Sequence, residues 1–155
     1  MRRPVKRVNN VFKDPVDGTE NVTRLINCVI EQGKKNTARR VVYGALEVLK
    51  EGGEKEPAVL LETAIQNVGP TMEVRSRRVG GANYQVPTEV RAARRLSLAL
   101  RWIKAAAAGK KGKPMHIKLA EEIKLAAEGQ GEAIAKRDNT HKMAEANKAF
   151  AHFAW

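Results

Sequence analysis

Apolar residues recur at helical spacing along most of this chain, and this periodicity constrains its fold more than any other feature. In the first such segment, Val22, Leu25, Ile26 and Val29 follow the i, i+3, i+4, i+7 spacing of one buried helix face. Five further segments repeat the pattern, and glycines or prolines separate most of them, as expected at helix ends. The sequence therefore predicts six helices, of which the last spans about residues 132–151.

The helical period is interrupted once, between residues 71 and 87, where apolar and polar residues alternate. Alternation is typical of a strand with one buried face. Gly80-Gly81 lies between the two alternating halves, and glycine accepts the positive φ angles that tight hairpin turns require. We therefore expect a mainly α fold, a six-helix domain with one protruding β-hairpin at about 72–87, inserted between the third and fourth helices.

The chain length of 155 residues fits one domain with a single core. Residues 1–13 contain five basic side chains, no acidic one and no helical apolar period, which predicts a basic, flexible N-terminal arm. Residues 14–155 are then expected to form a single helical domain. No apolar run approaches the roughly 20 residues that span a bilayer, and the N-terminus lacks the apolar stretch of a secretion signal. These features predict a cytoplasmic protein.

The charge of the chain is strongly positive and unevenly distributed. Lys and Arg outnumber Asp and Glu by 29 to 17, and the resulting net charge of +12 favours a polyanionic partner. The stretch from Arg75 to Lys104 contains eight basic residues and one acidic residue, Glu89. Like charges three or four residues apart on a helix repel each other, so such an arrangement is unfavourable in the free protein. A phosphate backbone bound to this surface would offset the repulsion.

The residue types needed for catalysis or metal binding do not come together in the sequence. Cys28 is the single cysteine and has apolar neighbours, which predicts a small core residue and not a reactive thiol. The three histidines lie far apart, and neither serine has a plausible His and Asp constellation. The basic loop at residues 109–113 lacks the spacing and the preceding strand of a phosphate-binding loop. We expect no catalytic residues, no metal site and no cofactor.

Four segments show a resemblance to a known family. Arg75–Pro87, with the sequence RSRRVGGANYQVP, resembles the signature of the S-seven family of bacterial small-subunit ribosomal proteins. Ala38–Leu46, Arg94–Trp102 and His141–Trp155 agree with the same family, and the match runs in register from about residue 14 onward. The resemblance implies a structural protein that binds the 3′ major domain of small-subunit rRNA and nucleates assembly of the head. It also implies that the hairpin and the C-terminal helix lie near the exit-site tRNA and the mRNA path.

Charge pattern and resemblance together predict two sets of binding residues. The predicted rRNA-binding residues are Arg2, Arg3, Lys6, Arg7, Lys34, Lys35, Arg75, Arg77, Arg78, Arg91, Arg94, Arg95, Arg101, Lys110, Lys111 and Lys113. The residues that the resemblance implies to lie near tRNA or mRNA are Gly80, Gly81, Ala82, Met143, Asn147 and Lys148. Tyr84 and Trp102 each offer a ring for stacking on bases, but packing against the protein is the commoner role of such residues and is the one expected here. Charge reversal at Arg94 and Arg95 is expected to weaken rRNA binding and to leave the fold intact.

Two rival classes of function remain open at this point. A DNA-binding regulator would need a symmetric dimer and a helix of base-reading residues, and no obvious recognition helix is present. An RNA-modifying enzyme would need a cofactor loop or a nucleophile, and neither is visible. A secondary role in binding its own messenger RNA is compatible with the ribosomal interpretation. The expected partners are small-subunit rRNA, exit-site tRNA, mRNA and neighbouring small-subunit proteins, without a membrane or a small-molecule substrate.

Overall fold

The computed structural model describes residues 12–14 and 18–153, and this part of the chain forms six α-helices, one β-hairpin and a C-terminal 3-10 helix. The helices are α1 (Glu20–Val29), α2 (Lys35–Glu51), α3 (Pro57–Val68), α4 (Ala92–Gly109), α5 (Met115–Ala127) and α6 (Glu132–Ala146). The strands β1 (Met72–Val79) and β2 (Ala82–Glu89) form the hairpin between α3 and α4, and the 3-10 helix is Lys148–Phe153. The predicted fold class is confirmed.

The core lies around α5, which contacts α2, α3 and α4 along its length. Leu119 and Ile123 of α5 are fully buried, and they pack in one apolar cluster with Val42, Leu61 and Ile103 from the surrounding helices. Each such side chain contributes about 1.5–3 kcal/mol when it is removed from water. The helical periodicity of the sequence predicted these positions correctly, because one apolar stripe per helix faces this cluster.

The hairpin has two different faces because side chains alternate along each strand. The strands pair antiparallel, with Arg75 opposite Val86 and Arg77 opposite Tyr84, so these four side chains share the face that also contains Glu73. Val86 and Glu73 are buried on this face. On the opposite face, the half toward the turn is exposed and polar and contains Ser76, Arg78, Asn83 and Gln85, whereas Val74 and Pro87 nearer the root are at least half-buried.

The turn of the hairpin is formed by Gly80 and Gly81, with φ angles of +58° and +91°. Residues other than glycine rarely adopt these backbone angles, so the prediction of a glycine turn is confirmed. The strand pairing continues as far as Met72 opposite Glu89, two residues beyond the predicted end at 87.

The last helix is shorter than predicted, because α6 ends at Ala146 and not at about residue 151. Asn147 donates a hydrogen bond from its side-chain amide to the carbonyl of Met143 at 2.8 Å, which competes with continuation of the helix. The chain then tightens into the 3-10 helix, which places the rings of Phe150 and Phe153 at 5.2 and 5.3 Å from the ring of Tyr84. The helical period could not predict this end, since the aromatic partner lies on the hairpin.

Candidate nucleic-acid interface

Helix α2 has basic residues at its N-terminal end, where the helix dipole makes cations unfavourable. Lys34 and Lys35 lie at its positive N-terminal end, with Arg39 and Arg40 in the following turns, and all four side chains are exposed. Its first turn has no acidic residue. Cations at a helix N-terminus cost about 0.3–1 kcal/mol each in weakly screened positions, whereas a bound anion there is stabilised. Lys34 and Lys35 were predicted as rRNA contacts, whereas Arg39 and Arg40 were not, although the helical period already places both off the apolar stripe.

Helix α4 shows the same arrangement. Arg91 is its N-cap residue, Arg94 and Arg95 lie in its first turn, and that turn contains no acidic residue. Arg101 lies seven residues after Arg94, which places the two on the same face, two turns apart. The start of α4 is therefore a second position where the free protein gathers positive charge at the positive end of a helix dipole.

Two of the predicted arginines, one on β1 and one on α4, share a buried carboxylate as their structural partner. Arg75 Nε donates to Glu73 Oε1 at 2.6 Å, and Arg94 Nε donates to Glu73 Oε2 at 2.6 Å. The Glu73 side chain is 9% exposed, while those of Arg75 and Arg94 are 51% and 48% exposed. Glu73 therefore joins the root of the hairpin to α4, and both guanidinium groups still face solvent. We call these three residues the Arg–Glu–Arg triad.

Ionisation of Glu73 is favoured by the triad. Burial alone raises the pKa of this carboxyl, but the hydrogen bonds and charges of Arg94 and Arg75 outweigh burial and lower its pKa below the ordinary value. Because the pKa of Glu73 is lower in the folded protein than in the unfolded protein, its ionised carboxylate stabilises the fold at pH values above the ordinary pKa. This stabilisation is lost as the pH falls through the lowered pKa of the folded state.

Acid titration should reveal this contribution. We expect the free energy of unfolding of the parent to fall more steeply from about pH 5 downward than that of Glu73→Gln, which has no carboxylate to protonate. Denaturant unfolding at a series of pH values measures both slopes. Glu89→Gln, an exposed carboxylate of the same hairpin, should retain the slope of the parent. Equal slopes for the parent and Glu73→Gln would contradict the pairing.

Arg95 has a different structural partner from its neighbour. Its Nε donates to the carbonyl of Gly69 at 3.0 Å and its Nη2 to the carbonyl of Gln66 at 3.1 Å, which satisfies carbonyls at the C-terminal end of α3. A Cβ on Gly69 would lie 2.7 Å from Arg95 Cγ, so only glycine permits this approach. Charge reversal of Arg94 and Arg95 would break these bonds as well as the triad. The expectation that this change leaves the fold intact is therefore not supported.

The loop between α4 and α5 also uses its lysines internally. Lys110 Nζ lies 2.8 Å from Glu122 Oε2, and Glu122 is fully buried. Lys113 forms an ion pair with Glu121. Lys111 is exposed and has no ion pair among the described residues. Only one of the three predicted lysines in this loop is thus left without an internal partner in the described ranges.

Four of the other predicted cations, Arg91, Arg101, Lys34 and Lys35, form one surface with the triad. Lys104 also belongs to it, although it was not among the predicted contacts and forms an ion pair with Glu31 at 3.0 Å. Arg101 and Lys104 of α4 both lie close enough to Cys28 to act on its thiol electrostatically. Lys104 and Lys34 line one groove of about 450 Å³ between the starts of α2 and α5 and the second half of α4. This surface therefore runs from the hairpin root along α4 to the start of α2. We call it the basic strip, and its members are Arg75, Arg91, Arg94, Arg101, Lys104, Lys34 and Lys35.

Several members of the basic strip have no ion pair among residues 12–14 and 18–153. They are Arg91, Arg101, Lys34 and Lys35, and all four are exposed. Arg78 is also exposed and without such a partner, but it lies on the polar face of the hairpin. Arg77 is half-buried opposite Tyr84 on the other face. The predicted contacts Arg2, Arg3, Lys6 and Arg7 lie outside the described residues.

The two segments predicted to lie near tRNA or mRNA are in contact. Tyr84 joins them by packing against Phe150 and Phe153, and α6 itself contacts both strands. Met143 is 51% exposed, although it is apolar. Among the other predicted members, Gly80, Gly81, Ala82 and Lys148 are exposed and Asn147 is partly buried.

Cys28, Trp102 and His141 each contact other parts of the protein. Cys28 is half-buried against the core; burial raises the pKa of its thiol, and Lys104 and Arg101 oppose this only in part. Trp102 is partly buried against the same core, as predicted. The ring of His141 accepts a hydrogen bond at Nε2 from the backbone N–H of Thr71, at 3.1 Å.

In the described ranges, no three His, Cys, Asp or Glu residues are grouped to hold a metal ion. No helix found there has the length and apolar character needed to cross a bilayer.

Fold and surface together define a class of protein, a helical scaffold with a projecting hairpin and a basic strip suited to a polyanion. The sequence model of the family described as "Ribosomal protein S7p/S5e" matches residues 1–148. The chain therefore belongs to the ribosomal protein S7p/S5e family, as its sequence motifs predicted.

Relatives from several bacteria extend this match over the full length. The chain is 53% identical over 155 residues to "Small ribosomal subunit protein uS7" of Thermotoga petrophila, with 100% of both chains covered. It is 52% identical to the proteins of the same name from Pelotomaculum thermopropionicum, with 99% of both chains covered, and Corynebacterium efficiens, with 100% of both covered. The chain is accordingly a structural, non-enzymatic component of the small ribosomal subunit, and this family assignment also agrees with the predicted location.

Proposed function

We propose that this protein binds the 3′ major domain of small-subunit rRNA through the basic strip and nucleates assembly of the head of the subunit. The hairpin tip and the end of α6 would then lie near the exit-site tRNA and the mRNA path. Ribosomal family membership supports a role within the small subunit. The choice of rRNA domain and of tRNA and mRNA as neighbours comes from the resemblance of the sequence motifs.

The single observation that supports RNA binding most strongly is the position of cations at the starts of α2 and α4 within one continuous strip. Lys34, Lys35 and Arg91 at these positions have no ion pair among the described residues. Their charges are unfavourable in the free protein, and phosphate groups bound there would make them favourable. Several phosphates bound at once would release condensed counterions and give tight, salt-dependent binding.

Folded RNA fits this surface better than duplex DNA does. The cations come from different elements, namely α2, α4 and the hairpin. Helices α2 and α4 both pack against α1 and α5, and the hairpin and α4 both pack against α6, which sets the relative positions of the cations. A rigid set of phosphate contacts selects a partner by shape, which is how folded RNA is mostly recognised. Reading of duplex DNA needs a helix that presents base-contacting side chains to the major groove, whereas the first turn of α4 presents arginines held by Glu73 and by Gly69.

The C-terminal part of the proposal is supported by exposure. Met143 is an apolar side chain that is half-exposed, five residues before the exposed Lys148 and on the helix that contacts the hairpin. An exposed apolar side chain beside a cation is suited to contact with a nucleic acid, whose bases have apolar faces and whose backbone is anionic.

A competition experiment tests the main proposal. The purified protein is titrated with a 3′ major domain rRNA fragment over a salt series, with duplex DNA of equal length as competitor. We expect tight binding that falls steeply with salt and that resists the DNA, since shape as well as charge is recognised. Equal competition by DNA would refute specific rRNA recognition and leave only general affinity for phosphate.

A further inference from the structure

The Arg–Glu–Arg triad has a geometry that a purely structural ion pair does not need. Each carboxylate oxygen of Glu73 accepts from the Nε of a different arginine, so the two guanidinium groups meet at one anchor from β1 and from α4. Arg75 also places one Nη at 2.5 Å from Oε1, whereas the described contacts of Arg94 with Glu73 use Nε. About half of each arginine side chain remains exposed.

The charge of the triad is also not balanced. One carboxylate opposes two guanidinium groups, so the triad retains a net charge of +1 at neutral pH. Guanidinium donors that do not face the carboxylate remain available in fixed orientations, and the planar guanidinium group matches a phosphate through two parallel hydrogen bonds. Two arginines held by one buried anchor lose little conformational freedom when they bind, which increases affinity.

We propose that Glu73 is a positioning residue that holds Arg75 and Arg94 as a single two-arginine site for one phosphate group at the junction of the hairpin and α4. The site needs the carboxylate for orientation, although the carboxylate itself has the wrong charge for the ligand. The part of this inference that concerns rRNA rests on the proposed function, whereas the phosphate site can be tested without RNA.

Charge and orientation predict opposite effects when Glu73 is replaced. Glu73→Gln raises the net charge by one, so a purely electrostatic surface would bind RNA more tightly, with a steeper dependence on salt. If Glu73 positions the arginines, the same variant should bind the rRNA fragment about tenfold more weakly than the control, the loss expected for one charge-assisted contact. Glu89→Gln is the matched control, because Glu89 is an exposed carboxylate of the same hairpin without an ion pair among the described residues.

The first arm of the experiment uses inorganic phosphate as the probe. In a ¹⁵N-labelled protein, the Nε–Hε signals of the two arginines are assigned with Arg75→Lys and Arg94→Lys. We expect phosphate to shift both signals together in the parent and in Glu89→Gln, and neither signal in Glu73→Gln. Signals that do not respond in the parent would overturn the phosphate site.

The second arm measures the affinity of the same proteins for the 3′ major domain rRNA fragment and for poly(U). We expect Glu73→Gln to lose affinity for the fragment about tenfold relative to Glu89→Gln, with unchanged or higher affinity for poly(U). Equal or tighter binding of the fragment by Glu73→Gln would overturn the positioning role, even with the proposed function intact. A phosphate response combined with equal affinity for fragment and poly(U) would refute the proposed function and leave the phosphate site standing.

A second variant keeps the test decisive if Glu73→Gln does not fold. Arg94→Lys keeps the net charge and can still form an ion pair with Glu73, but it lacks the planar guanidinium group. We expect circular dichroism like that of the parent and about tenfold weaker binding of the fragment. Unchanged binding by Arg94→Lys would overturn the two-arginine site, because a simple cation would then serve equally well.

Discussion

Replacing Arg91, Arg101 and Lys34 together with glutamine is expected to weaken rRNA binding about one hundredfold near physiological salt. All three side chains are exposed members of the basic strip without an ion pair among the described residues. Each phosphate contact contributes through counterion release, and this amounts to roughly a fivefold change in affinity per contact. The log–log slope of affinity against salt should therefore fall by about 2–3. Filter binding or fluorescence anisotropy over a salt series measures both quantities.

A matched variant separates the basic strip from net charge. Lys50, Lys55 and Lys124 are exposed cations at the other end of α2, before α3 and on α5, and Lys124 lines a groove with Glu54 and Glu121. Their replacement with glutamine changes the net charge by the same three units. We expect this control to bind within a few-fold of the parent, because interactions beyond about one Debye length are screened. Equal losses in the two triple variants would mean that overall charge, and not the basic strip, determines binding.

Most of the fold could be predicted from the sequence because its signals are local. The apolar stripes of the helices and the alternation on both sides of Gly80-Gly81 depend on residues a few positions apart. The end of α6 was predicted wrongly because, after Asn147, the chain packs Phe150 and Phe153 against Tyr84, which lies more than sixty positions earlier. No periodicity within the last helix contains information about that contact.

The position of the basic surface was also predictable, but the role of each cation was not. Charge counting treats Arg94, Arg95 and Arg101 alike, since all three belong to one basic helix. In the structure, Arg94 binds Glu73 and Arg95 binds the end of α3, while Arg101 has no ion pair in the described part of the chain. These partners lie on other elements, twenty or more residues away. Only the packing of α3 against α4, and the contact of Glu73 in the hairpin with Arg94, distinguish an arginine that holds the fold from one left for a ligand.

Lys110→Met is expected to lower the free energy of unfolding by about 3 kcal/mol, whereas the neighbouring Lys111→Met should change it by less than about 0.5 kcal/mol. Both lysines were predicted as rRNA contacts from the same basic loop. Lys110 is the ion-pair partner of Glu122, whose carboxylate is fully buried. Removal of the lysine leaves a buried charge without its partner, which is among the most destabilising single changes. Denaturant unfolding of the two variants measures the difference.

The buried carboxylate also explains why this pair affects more than the loop. Glu122 Oε1 accepts the backbone N–H of Ala133 at 3.0 Å in the first turn of α6, where a negative charge is favourable. A Cβ on Gly131 would lie 2.9 Å from the same oxygen, so the chain approaches Glu122 closely before α6 begins. Lys110 thus stabilises the carboxylate that starts α6, the helix that contacts the hairpin.

A double variant distinguishes this explanation from simple loss of a lysine side chain. Glu122→Gln retains an oxygen that accepts from Ala133, but it has no charge that needs Lys110. The combination of Lys110→Met with Glu122→Gln should therefore recover at least half of the stability lost in Lys110→Met, since removal of both charges is far less costly than removal of one. Additive losses in the double variant would show that the two residues act independently. Lys110 would then stand with Lys111 as a candidate for phosphate, and the assignment of cations between fold and ligand in this loop would have to be revised.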